Sequence, residues 1–182
     1  MDKVIRKGIV QILRRNKNLL RIPIRQKAKF EGWLKFELAH YLEAIGMKSV
    51  EVESKAWRRR DRTDITFFYG GEPYSVELKT PNTNWRVEGV NSNVRPITKN
   101  IQSIIDDAIK LNSPNGIVGF VLFPIPRCDN RWKVYLNRIN DNINLGLSKD
   151  ENCELVDIRI DAVNKCSLVV CTFKSKRFCN WP

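Results

Sequence analysis

Between Arg62 and Lys79 the chain reads R-T-D-I-T-F-F-Y-G-G-E-P-Y-S-V-E-L-K. Ile65 to Tyr69 is β-branched and aromatic, Gly70-Gly71-Glu72-Pro73 is turn-forming, and Tyr74 to Leu78 returns as a second apolar-rich run. That order predicts an antiparallel hairpin. Asp64 opens the first strand. In the second, the side-chain period of two puts Glu77 and Lys79 on one face and Val76 and Leu78 on the other. The hairpin then carries Asp64 back beside Glu77 and Lys79.

A half-buried sheet face seldom carries charge unless something pairs with it. Asp64 and Glu77 held a few ångströms apart repel each other, and a hard divalent cation with oxygen ligands is the simplest answer. Mg²⁺, with Mn²⁺ as a substitute, suits a set of one or two carboxylates that leaves room for waters and phosphate oxygens. Lys79, a compact cation, is placed to orient an attacking water or to stabilise a developing oxyanion.

At these residues the chain resembles the PD-(D/E)XK nuclease superfamily, in the spacing D-x(12)-E-x-K, although Thr63 stands where the eponymous proline would be. The likeness covers roughly Phe30 to Phe123. It implies that Asp64, Glu77 and Lys79 are catalytic, that Asp64 and Glu77 hold the metal, and that the Leu78 carbonyl is a further ligand. Members commonly add a glutamate from the helix before the hairpin. Glu37, in F-E-G-W-L-K-F-E-L-A-H-Y, is the better match, as a catalytic residue and metal ligand, ahead of Glu31. A glutamine on the following helix recurs in part of the superfamily, and Gln102 is placed like it.

Working outward, Phe30, Trp33, Leu34, Leu38, Leu42 and Ile45 form one stripe ended by Gly46, which predicts a helix from Glu31 to Ile45. Met47 to Val52 suits an edge strand. Thr80 to Lys99 is rich in Asn, Pro and Gly and predicts no regular structure. Following Lys79 directly, it reads as a flap over the substrate, with Asn82, Asn84, Trp85, Arg86 and Asn91 as DNA contacts, or as a surface loop whose Trp85 packs home. Ile101 to Leu111 is a second amphipathic helix. Ile117 to Phe123 is a continuous apolar run suited to a central strand covered on both sides. Glu154 to Ile160 and Ser167 to Phe173 predict two more strands. The sum is an α/β fold, a central mixed β-sheet flanked by helices, and the resemblance implies a restriction endonuclease-like version of it.

With 182 residues the chain has room for one sizeable core. Its division is read as a basic N-terminal helical arm, 1–29, and a single nuclease-like α/β domain, 30–182. A formal charge of +12 predicts a polyanionic partner. Ten basic residues precede Glu31 against Asp2 alone. Val4, Ile5, Ile9, Ile12 and Leu13 recur there at helical spacing, so Arg14 and Arg15 belong to an amphipathic helix. It can grip phosphates, lie on an anionic membrane or pack on the body of the protein, and phosphate contact is favoured. Arg58, Arg59, Arg60 and Arg62 form a second cluster beside Asp64, placed for backbone phosphates. No run of about twenty apolar residues exists, so no membrane association is expected.

The five cysteines show no C-x-x-C pair, and neither a structural disulfide nor a zinc site is expected. His40 is the sole histidine, and no glycine-rich nucleotide loop is present. The expectation is a Mg²⁺-dependent endonuclease hydrolysing DNA phosphodiester bonds, a small restriction enzyme or a structure-selective nuclease. Its substrate is expected to be double-stranded rather than single-stranded DNA, with pairing into a homodimer giving cuts on both strands. Location would be intracellular, cytoplasmic or nucleoid-associated. The alternative is a non-catalytic nucleic-acid-binding protein that uses the basic arm and the Arg-rich loop.

Overall fold

The computed structural model describes residues 1–55, 62–91, 97–111 and 115–175. Within them the helices are α1 (Asp2–Arg15), α2 (Lys17–Gln26), α3 (Glu31–Ala44), α4 (Ile97–Lys110), α5 (Lys133–Ile143) and the short α6 (Lys149–Asn152). The strands are β1 (Lys48–Ser54), β2 (Thr63–Tyr69), β3 (Glu72–Lys79), β4 (Gly116–Ile125), β5 (Cys153–Arg159) and β6 (Lys165–Lys174). They form one mixed sheet in the order β1-β2-β3-β4-β6-β5.

The β2–β3 hairpin closes through Gly70 and Gly71, at φ 60° and 82°, with Tyr69 paired to Glu72. Two successive positive-φ residues are what a tight hairpin turn of matching twist requires, and glycine adopts them without penalty. The turn is thus shorter than expected. Glu72 and Pro73 already belong to β3, and Pro73 is tolerated because β4 begins its pairing only at Ser75.

Strand β4 runs parallel to β3, with α4 in the connection. Its residues divide cleanly between the two faces. Ile117, Val121 and Phe123 join one apolar cluster with α1, α2 and α3, whereas Val118, Phe120 and Leu122 join a second with α4 and α5. Strand β6 splits the same way, Leu168 and Val170 against Val169, Cys171 and Phe173. Coverage on both faces explains why β4 reads as an unbroken apolar run.

The first 29 residues do not stand off as an arm. Ile5, Ile9 and Leu13 are fully buried in the cluster that holds Ile65, Leu78 and Val121, and α1 lies against β6, β5 and α3. Burying a stripe of this size stabilises by roughly 1.5–3 kcal/mol per large side chain, more than a solvated helix gains from its charges. A second correction concerns the cysteines. Cys153 and Cys171 are direct partners across β5 and β6 and form a disulfide, a pairing that depends on strand register and not on sequence spacing. No helix among the described residues is long and apolar enough to cross a membrane.

The segment after β3 is also more ordered than its composition suggests. Asn82 bridges to Phe123, the Thr83 amide donates to the Phe123 carbonyl at 2.7 Å, and the Phe123 amide donates to the Pro81 carbonyl at 3.2 Å. Residues 81–83 therefore continue the sheet edge-on to the end of β4. Trp85 packs home, its ring 5.8 Å from Tyr135 with the Arg131 guanidinium 5.0 Å away over it.

Candidate functional site

The hairpin pairing Ile65–Val76, continued by one step, sets Asp64 opposite Glu77. Asp64 is then fixed from two sides. Its Oδ2 accepts from the Leu78 amide at 2.8 Å, and its Oδ1 lies 2.7 Å from Lys35 Nζ. Lys35 projects from α3, is largely buried, and also reaches Glu53 of β1 at 3.2 Å. Burial works against its charge, but Asp64 and Glu53 outweigh that and raise its pKa. Lys79 lies 3.0 Å from Asp107 of α4 and 3.9 Å from Glu31 of α3. Its pKa is likewise raised: burial opposes the charge, and Asp107, Glu31 and Asp64 overcome it. Glu31 also accepts from the Thr80 amide at 3.2 Å.

Glu77 is the exception in this network. Burial first, then the fields of Asp64 and Asp107 and a hydrogen bond to Asp64, push its pKa up to about 8, and Lys79 only partly offsets them. Besides burial, a shortage of nearby cations contributes: four carboxylates (Glu31, Asp64, Glu77, Asp107) stand around two ammonium groups (Lys35, Lys79). Fully ionised, the cluster carries two uncompensated negative charges, and a proton on Glu77 removes one of them.

That deficit suits a divalent cation. Among the described residues no three His, Cys, Asp or Glu side chains converge as a ready-made ligand cage. An ion here would rest on Asp64 and Glu77 and complete its shell from water and substrate oxygens, the habit of Mg²⁺. Two buried oxygens just beyond β3, Thr80 Oγ1 and Asn82 Oδ1, have no hydrogen-bond partner. Buried acceptors left open beside an acidic cluster are consistent with a site that takes up waters or an ion. The carboxylates are of the kind such an ion takes, and Asp64 would have to share its oxygens with Lys35 and the Leu78 amide.

The structure brings together Asp64, Glu77 and Lys79, but it redistributes the helical contributions. Glu37 lies in a cleft between α1 and α3 with Gln11, Arg15 and His40, because six residues turn it some 240° from Glu31 about the helix axis. Glu31 is the α3 glutamate at the site, and Lys35, one turn later, shares its face. Gln102 is solvent-exposed and donates to Asp106 at 3.0 Å; the α4 residue that reaches Lys79 is Asp107. The Leu78 side chain is core, and its amide is committed to Asp64.

Of the expected DNA contacts, Arg14 pairs with Glu154 at 3.0 Å on β5, at the far edge of the sheet. Arg15 lines the α1–α3 cleft. Arg62 is exposed and 3.2 Å from Glu53, close to the acidic cluster through Lys35. Asn84 and Arg86 are exposed on the loop after β3, whereas Asn82 is half-buried and donates to the Lys27 carbonyl at 2.6 Å. Arg58, Arg59 and Arg60 lie outside the described residues.

Lys35 and Asp107 were missed by sequence reasoning. A signal existed for each: Lys35 follows Glu31 by four positions on the stripe of Leu34, Leu38 and Leu42, and Asp107 follows Ile104 by three on the buried face of α4. No family model, no curated protein and no solved structure matches this chain.

Proposed function

We propose that the chain is a Mg²⁺-dependent endonuclease that hydrolyses DNA phosphodiester bonds, with Mn²⁺ able to replace Mg²⁺, on a restriction endonuclease-like variant of its α/β fold. The observation that carries this reading is the Asp64–Glu77 pair, set within a cluster of four carboxylates and two lysines, with the Glu77 pKa pushed up to about 8. Asp64 and Glu77 would hold the ion. When bound, it supplies Lewis-acid activation of water and neutralisation of charge on the phosphoryl group.

The remaining work falls to side chains. Lys35 orients Asp64 through the 2.7 Å ion pair. Lys79, kept protonated by Asp107 and Glu31, directs a compact positive charge to a scissile phosphate or the attacking water. Thr80, tied to Glu31 through its amide, holds the end of β3 in register with α3. The net charge of +12 supports a polyanionic substrate. Double-stranded DNA, action as a homodimer and an intracellular site in the cytoplasm or nucleoid complete the reading.

One observation favours a second reading, a nucleic-acid-binding protein without catalysis. Lys35 already places a cation on Asp64, and Lys79 already pairs with Asp107. Digestion of plasmid, linear duplex, branched and single-stranded DNA with Mg²⁺, with mapping of the ends, decides between them. The nuclease reading expects cleavage that Glu77→Ala abolishes while DNA binding survives. Intact DNA with every substrate, alongside tight salt-sensitive binding indifferent to Glu77→Ala, would establish the second.

A further inference from the structure

Lys27 caps α2 in the left-handed region, at φ 49°, a conformation that favours glycine or asparagine. The residue is only 5% exposed. Its ammonium donates to the Trp85 carbonyl at 3.3 Å and meets no carboxylate among the described residues; burial alone acts on its pKa, downward. A buried cation without a counter-ion is costly. The residue also lines a cavity of about 470 Å³ together with Arg86, Glu88, Gly89 and Asn91, with the Asp161 carboxylate next to Gly89.

The cavity adjoins the acidic cluster. The Lys27 carbonyl accepts from Asn82 at 2.6 Å, and the Asn91 amide donates to the Arg25 carbonyl at 2.7 Å, which ties the loop to the end of α2. Asn82 follows Lys79 by three residues, at most about 11 Å of extended chain. Nucleotides on a strand rise about 3.4 Å each, so a strand at Lys79 reaches the cavity within a few nucleotides.

We propose that Lys27 and Arg86 form a second phosphate subsite, which grips a backbone phosphodiester of the substrate strand a few nucleotides from the scissile bond. The identity of that strand rests on the nuclease reading. The subsite itself needs only the buried ammonium, the cavity and their place beside Asn82. Substrate phosphate supplies the missing counter-ion and fixes the strand's register against Lys79.

The test is duplex binding against salt, without divalent ion, in a Glu77→Gln background so that cleavage cannot intrude. Lys27→Met keeps the volume and removes the charge; Arg86→Gln removes the charge at an exposed position where the fold is not at risk. Each is expected to lower the slope of log K against log salt by about one, which shrinks the affinity loss between 50 and 200 mM salt by about three- to fourfold. The melting temperature of Lys27→Met should hold or rise, since an unpaired buried cation is gone. Should Lys27→Met not fold, the Arg86→Gln slope decides alone. Unchanged slopes overturn the subsite, as does absence of duplex binding by the parent. Stabilisation by inorganic phosphate that Lys27→Met abolishes, with duplex binding unaltered, reassigns the cavity to a small phosphate compound and also overturns it. Cleavage with unchanged slopes removes the subsite alone, whereas lowered slopes without cleavage remove the nuclease reading alone.

Discussion

In the proposed nuclease, Glu77 is the residue on which proton and metal would compete. Its pKa in the folded protein is about 8 against an ordinary 4.5, so between those values the folded state binds more protons than the unfolded one. Stability therefore falls as pH rises through that window, and it falls because ionised Glu77 must face Asp64 and Asp107. Without divalent ion, Glu77→Gln is expected to flatten the decline between about pH 5 and 8 and to raise stability near pH 8 by a few kcal/mol at most. Chemical denaturation across pH reads this directly. In the proposed site, Mg²⁺ on Glu77 would have to expel the same proton. Affinity for Mg²⁺ should thus tighten by up to about tenfold per pH unit below 8 and level off above it. Calorimetric titration that finds pH-independent Mg²⁺ affinity would place the ion elsewhere.

At the scale of elements, the hairpin was legible because everything that specifies it is local: two glycines for the turn and a period of two that put Glu77 and Lys79 on one face. Rotation of the flanking helices was not. Glu31 and Glu37 sit on one helix whose apolar residues are spread around it, with Phe36 exposed while Leu34 and Leu38 are buried, so the pattern does not say which glutamate meets the sheet. Gly8 permits the close approach of α1 to α3: a Cβ there would stand 2.6 Å from the Tyr41 ring and 3.2 Å from Leu38 Cδ1. Gly8→Ala would gain about 1 kcal/mol of helix propensity but force the α1–α3 contact apart at a cost of roughly 1–3 kcal/mol. A net loss of about 1 kcal/mol is expected, or some 2–4 °C in melting temperature. An unchanged or raised melting temperature would show that α3 shifts freely against α1. The Cys153–Cys171 bond escaped the sequence for a related reason, since it follows from the register of β5 on β6.

Across the whole molecule the α/β class was legible from the alternation of helical and strand-like runs, and the continuous β4 run marked the sheet's centre. The basic N-terminal stretch misled, because its charges mask a stripe fully committed to the core. Arginines stand at both edges of the sheet, Arg14 beside β5 and Arg62 beside β1, each paired with a glutamate, while the carboxylates Asp64 and Glu77 gather at the open end of the β2–β3 hairpin, away from its turn. The proposed function rests on one physical claim: a chain of net charge +12 drawn to phosphate, with a cation-deficient acidic cluster that would bind metal and cut. Single-turnover cleavage of a defined duplex in Mg²⁺ by the parent and by Asp64→Asn, with binding measured in parallel, tests it most directly. Asp64→Asn is expected to slow cleavage by about 10³-fold or more while duplex affinity stays within a few-fold of the parent. Equal cleavage rates for the two proteins, or no cleavage by the parent at all, would contradict it.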